Sequence, residues 1–127
     1  MLSSLLESMY DLFEGSAADA LATGGYYVFE APAGSGVPCV VASVFVEGEQ
    51  SVQVRMDDAM IQLDIVSDDA SEAAALADAV MEAFDDKEIS VSGFESFGTL
   101  ERESVTPLAV DGSIQISLHY RLLMKRE

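Results

Sequence analysis

The sequence predicts a single α+β domain over residues 1–127. It reads as a mostly antiparallel sheet of about four to six strands packed on two main helices, about 3–14 and 70–85. Three stretches predict it. From Met60 to Asp86 the chain reads as a strand, a short connection and an amphipathic helix. Near the C-terminus, Ile114, Ile116, Leu118, Tyr120, Leu122 and Met124 alternate with Gln115, Ser117, His119 and Arg121, a period of two. Between these, short apolar runs are separated by turn signals, as hairpins require.

The first helix follows from Leu2, Leu5, Leu6, Met9, Leu12 and Phe13 at helical spacing, with Ser3 or Ser4 as its expected cap and Gly15 as its end. Residues 17–22 fit a further helical turn, stopped by Gly24 and Gly25. Tyr26 to Glu30 reads as a first short strand. The run APAGSGVP (31–38) holds two prolines and two glycines and reads as a loop. Cys39 to Val46 is apolar and valine-rich, the pattern of a strand covered on both faces. EGEQS then signals a turn, and residues 52–56 read as a returning arm that Asp57 and Asp58 interrupt.

In the central unit Ile61, Leu63 and Ile65 alternate with Gln62 and Asp64, so one strand face is buried. Asp69 is placed to cap the following helix, with Glu72 three residues on completing a box. Ala73, Leu76, Ala77, Val80, Met81 and Phe84 form that helix's apolar stripe. After a turn at 86–88, Ile89–Val91 reads as a short extended piece and GFESFG (93–98) as a flexible aromatic segment. Pro107 places any strand over 99–110 at an edge, Asp111-Gly112 signals a tight turn, and residues 125–127 read as a solvated tail.

The composition excludes several function classes. Twenty-three acids against six bases leave a net charge of −17, which opposes specific binding of nucleic acid and docking on anionic membranes. Half the residues are apolar, too many for a disordered acidic chain. The N-terminus lacks a basic region ahead of an apolar stretch, so a secretory signal is not expected, and the single cysteine fits a reducing cytoplasm.

No catalytic, cofactor-binding or metal-binding constellation is expected. His119 is the sole histidine, so a hydrolase would have to use it, and no motif surrounds it. Cys39 sits in an apolar run and reads as a buried, inert thiol. The glycines at 34 and 36 lack both the P-loop lysine and the dinucleotide-binding spacing. The doublets Asp57-Asp58, Asp68-Asp69 and Asp85-Asp86 lack calcium-loop spacing. The second suits a helix N-terminus, and at the last only Lys87 offers compensation. Met9, Met60, Met81 and Met124 are expected in the core.

With these elements placed, the chain resembles the small tail-completion proteins of tailed bacteriophages and prophages, the tail-terminator group among them. The resemblance runs over roughly residues 1 to 126. It rests on the order of the N-terminal helix, the loop APAGSGVP, the run CVVASVFV, the block IQLDIVSDDASEAAALADAVMEAF and the closing RESVTPLAVDGSIQISLHYRLLMKR. It implies a non-enzymatic virion part that forms a homo-oligomeric ring, often hexameric. Such a ring caps the tail tube and offers a surface to the head connector, with localisation in the virion tail and in the host cytoplasm during assembly. DNA would pass through the lumen, and six copies would carry about −100, so acids lining it would let the duplex slide. Apolar contacts must overcome that self-repulsion, and segments 47–58 and 93–107 are the expected interface. The resemblance passes no functional residue onto the chain. The rival readings are a small-molecule-binding α+β domain using the loop at 33–36, a head-closure or neck protein, and a hydrolase using His119.

Overall fold

The computed structural model describes residues 1–50, 55–96 and 99–126. Three helices, α1 (Leu2–Phe13), α2 (Ala17–Leu21) and α3 (Ala70–Phe84), accompany six strands. The strands are β1 (Gly25–Val28), β2 (Cys39–Gln50), β3 (Arg55–Ser67), β4 (Phe94–Ser96), β5 (Glu101–Val110) and β6 (Ser113–Arg126). They form one mixed sheet in the order β1-β2-β3-β6-β4, with β5 also paired to β6. Among the described strands only the β1–β2 pair is parallel.

Strand β3 occupies the middle because its alternation suits one covered face and because it is paired along both sides. Asp57, Ala59, Ile61, Leu63, Ile65 and Ser67 are buried, while the residues between them are not. β2 pairs with it from Cys39↔Val66 to Gln50↔Arg55, and β6 from Ser67↔Ile114 to Met56↔Lys125. Helices α1 and α3 cover this buried face. Leu5, Met9 and Phe13 of α1 and Leu76, Val80 and Phe84 of α3 join Leu118, Tyr120, Leu122 and Met124 of β6 in one core, with α1 resting against α3.

The caps show how local sequence sets the ends. Asp69 accepts from the Glu72 N–H at 3.0 Å, as its type and position predict. The Glu72 carboxylate does not close the box. It accepts from the Ser67 hydroxyl at 3.3 Å, and Ser67 in turn accepts from the Asp69 N–H. α1 starts at Leu2 with no side-chain cap, correcting the expected Ser3 or Ser4. Ser4 instead accepts from the Ser92 N–H, and Ser8 donates to the Ser90 carbonyl, so both serines fasten the helix to the chain after α3. Gly24 lies where the backbone crosses Gly36, and a Cβ there would stand 2.0 Å from the Gly36 carbonyl oxygen.

Several expectations are corrected. Asp57 and Asp58 do not interrupt a strand, since β3 runs through both and arginines on β6 hold them: Arg126 bonds Asp57 and Arg121 bonds Asp58. Cys39 is buried on the face away from the helices, but cover on that face gives out along 41–45, leaving Phe45 60% exposed. Where EGEQS signals a turn, β2 continues to Gln50; of the returning arm expected at 52–56, residues 52–54 lie outside the described residues and 55–56 open β3, which pairs back on β2. Residues 125–126 are strand rather than tail. Met60 is exposed on the uncovered face, whereas Met9 and Met124 are buried.

Two phenols test the packing. The Tyr26 hydroxyl is buried without a hydrogen-bond partner, and burial holds its pKa far above the ordinary 10. Burial and then its bond to Asp85 do the same for Tyr120. In the unfolded chain both would ionise near pH 10. The stability they contribute is therefore complete below that pH and is lost as the pH rises through the folded-state values. Urea midpoints should fall above about pH 10, and Tyr120→Phe should flatten that fall. An unchanged slope in the variant would contradict the assignment.

Candidate functional site: the uncovered sheet face and its edges

The face of the sheet opposite the helices carries alternate residues of β2, β3, β6 and β5, and no described helix covers it. Cross-strand register brings Ser43, Gln62, His119 and Ser104 into one row. A directed hydrogen-bond chain crosses this face. The Gln62 amide nitrogen is committed to the Asp64 carboxylate at 2.9 and 3.0 Å, so its oxygen faces His119 Nε2 at 3.2 Å and accepts a hydrogen bond from the ring N–H there. That leaves His119 Nδ1 as the acceptor for the Ser104 hydroxyl, 3.0 Å away. The Ser117 hydroxyl also donates to Asp64, at 2.6 Å, and accepts from Gln115.

The chain thus runs from β5 through β6 to β3 and ends on one carboxylate. It binds strands together where no core does. A serine hydroxyl aimed at a histidine resembles the start of a nucleophile–base pair, but the third member is an amide rather than a carboxylate, and the serine stands on an open edge strand. Beside the row, Arg121 donates to both oxygens of Asp58 at 3.0 Å. Asp58 holds the Arg121 guanidinium above its ordinary pKa, first by that bond and then by charge.

Each acidic doublet finds structural partners. Asp57, only 4% exposed, takes a bidentate bond from Arg126. Asp69 caps α3, and Asp85 accepts from the Tyr120 hydroxyl and pairs with Arg102 at 3.5 Å. Asp85 stands at the C-terminal end of α3, where its charge opposes the helix dipole, and it is held there by a hydrogen bond from β6 and an ion pair from β5. Among the described residues no three His, Cys, Asp or Glu side chains gather as a metal site. Cys39 is buried, and burial raises its thiol pKa. Beside the loop at 31–38, an open cleft of about 380 Å³ between α2 and α3 is lined by Leu21, Thr23, Pro38, Ser71 and Glu72.

The edge at β5 is the one that Pro107 predicts, whereas the open edge of β2 begins at Ser43, ahead of the expected segment 47–58. β1 pairs with β2 only from Cys39 to Ala42, so from Ser43 to Gln50 the outer side of β2 meets no described strand. Beside it, Leu2, Val44, Val46 and Phe94 line an open trough of about 550 Å³ above the Asp57–Arg126 pair. On the opposite flank all ten residues of β5 are exposed, and among the described strands it pairs with β6 alone. Of the expected interface segments, 55–58 is interior to the sheet, paired by β2 and at 56–58 by β6, because the edge at that level is β2 itself. Residues 51–54 and 97–98 lie outside the described residues, while 101–107 do form an edge.

The profile of the family described as tail completion protein gp17 matches residues 7–124. The chain belongs to that family. No curated protein sequence matches it. Among solved structures it is similar to a chain described as "Virion of native gene transfer agent (GTA) particle". The two share 17% identity and a TM-score of 0.83, over 98% of this chain and 96% of that one. At that identity the likeness concerns the fold, and family membership rests on the profile match. 

Asp64 is the end point of the polar chain and gives a direct test. Asp64→Ala orphans the Gln62 amide and the Ser117 hydroxyl, and should lower stability by about 1–3 kcal/mol. Ser104→Ala, at the exposed start, should stay within about 0.5 kcal/mol. Urea unfolding of the two variants beside the parent checks the order; equal losses would contradict a network anchored at Asp64.

Proposed function

We propose that this protein is a structural, non-enzymatic component of a phage-type tail. As an oligomeric ring it caps or completes the tail tube and joins it to the head connector. The observation that carries the reading is the family match across 7–124, nearly the whole chain. The likeness in fold to a virion component supports a place in the virion tail, reached after assembly in the host cytoplasm. Its partners would be further copies of itself, the tail tube protein and head–tail connector proteins.

The surface suits such a part better than a catalyst. The side chains that look most like chemistry, Ser104 and His119, are spent in holding strands together on an unwalled sheet. Among the described residues, β5 and the outer side of β2 present strand edges with apolar side chains, which are means of assembly. Charge sets the conditions: at −17 per chain, copies repel one another, and salt screens that repulsion over about 8–10 Å.

Two outcomes follow from the reading. Deleting the chain from the genome that encodes it should leave heads and tails that fail to join, visible by electron microscopy; normally joined particles would overturn the assignment. In purified protein the ring fraction seen by native mass spectrometry or light scattering should rise with salt. A fall with salt would show that ion pairs, not apolar contacts, hold the ring.

A further inference from the structure

We propose that the ring is closed by strand addition: β5 of one copy docks on the free outer edge of β2 of the next. This rests on the ring reading above and names its joint. The two edges lie at opposite flanks of one sheet, so joining them is a head-to-tail contact that repeats around a rotation axis.

Strand direction favours this pairing. β2, β3, β6 and β5 alternate in direction, each pair being antiparallel. A rotated copy keeps its strand directions, so β5 meets the neighbouring β2 antiparallel and the alternation continues without a break. The parallel strand β1 covers β2 only as far as Ala42, and no described strand pairs with the outer side of the eight residues Ser43–Gln50.

Side chains select the register. Within one copy Ser43 is level with Ser104, through Gln62 and His119. An unshifted joint would set Glu103 and Glu101 beside Val44 and Val46, burying charge on apolar surface. Sliding the neighbour by about six residues brings Val110 opposite Ser43 and Leu108 opposite Phe45, at about 3.3 Å per residue. Leu108 is 55% exposed and Phe45 60%, and both stand on the uncovered face. In the same register Ala109 and Pro107 meet Val44 and Val46 on the helix side, where the trough opens. The slide is about 20 Å across four strands some 19 Å wide, a strand tilt of about 45°, at the upper end of what closed barrels adopt. Pro107 has no N–H, so the ladder carries one donor fewer and apolar matching does more of the selection.

The test uses the full chain carrying Cys39→Ala, with Phe45→Cys and Leu108→Cys together, oxidised under conditions where native mass spectrometry reports the oligomer. Disulfide-linked multimers are expected, ending in a closed species. The pair Phe45→Cys with Val105→Cys, whose side chains lie on opposite faces, should not link. Leu108→Asp should weaken association by about tenfold or more while leaving monomer unfolding unchanged. Rings that form without the 45–108 link overturn the joint and leave the ring reading standing. A chain that stays monomeric at every concentration and salt, without links, overturns both.

Discussion

Along Met56–Val66 the central strand β3 is hydrogen-bonded on both flanks, to β2 on one side and β6 on the other. This double pairing governs the rest of the molecule. It fixes register, because a slip of one residue would carry Ile61, Leu63 and Ile65 to the uncovered face and bring Gln62 and Asp64 into the core. The same register delivers Asp57 to Arg126 and Asp58 to Arg121, and it aligns Gln62 with His119. The helices then need only one face, and the connection from Ser67 to Asp69 turns α3 back onto it.

Because the core is satisfied from one side, the other side of the sheet carries a polar centre with Phe45, Met60 and Leu108 exposed around it, and the flanks are left unfinished. The Ser104–His119–Gln62–Asp64 chain supplies order where apolar packing is absent. The flanks do not carry the usual devices against edge pairing in equal measure. β5 has Pro107, while β2 from Ser43 to Gln50 has neither proline nor lysine and displays Phe45. In an isolated globular protein that edge is a liability. In a subunit of a ring it is a means of assembly, and a net charge of −17 opposes indiscriminate pairing.

Much of the fold was legible in the residue pattern. The β6 alternation, the α3 stripe, the Asp69 cap and the Asp111-Gly112 turn depend on neighbours a few positions apart, and all stand in the structure. What was not legible depends on distant partners. Asp57 and Asp58 look like strand breakers until Arg126 and Arg121, 69 and 63 residues away, are brought beside them. Asp85 looks unfavourable at a helix C-terminus until Tyr120 and Arg102 reach it. The parallel β1 was hidden for the same reason: four residues carry no sign of which strand they will join. The open edge of β2 follows from where β1 stops, so no local pattern could have marked it.

Hydrogen exchange tests the central claim, that a doubly paired centre supports edges kept open for assembly. In the monomer, amides of β3 and β6 should be the slowest, and those facing outward from Ser43–Gln50 and from β5 should exchange fast. On assembly both edges should become protected together, with β3 unchanged. Edges already protected in the monomer, or still fast in the assembled ring, would contradict the account.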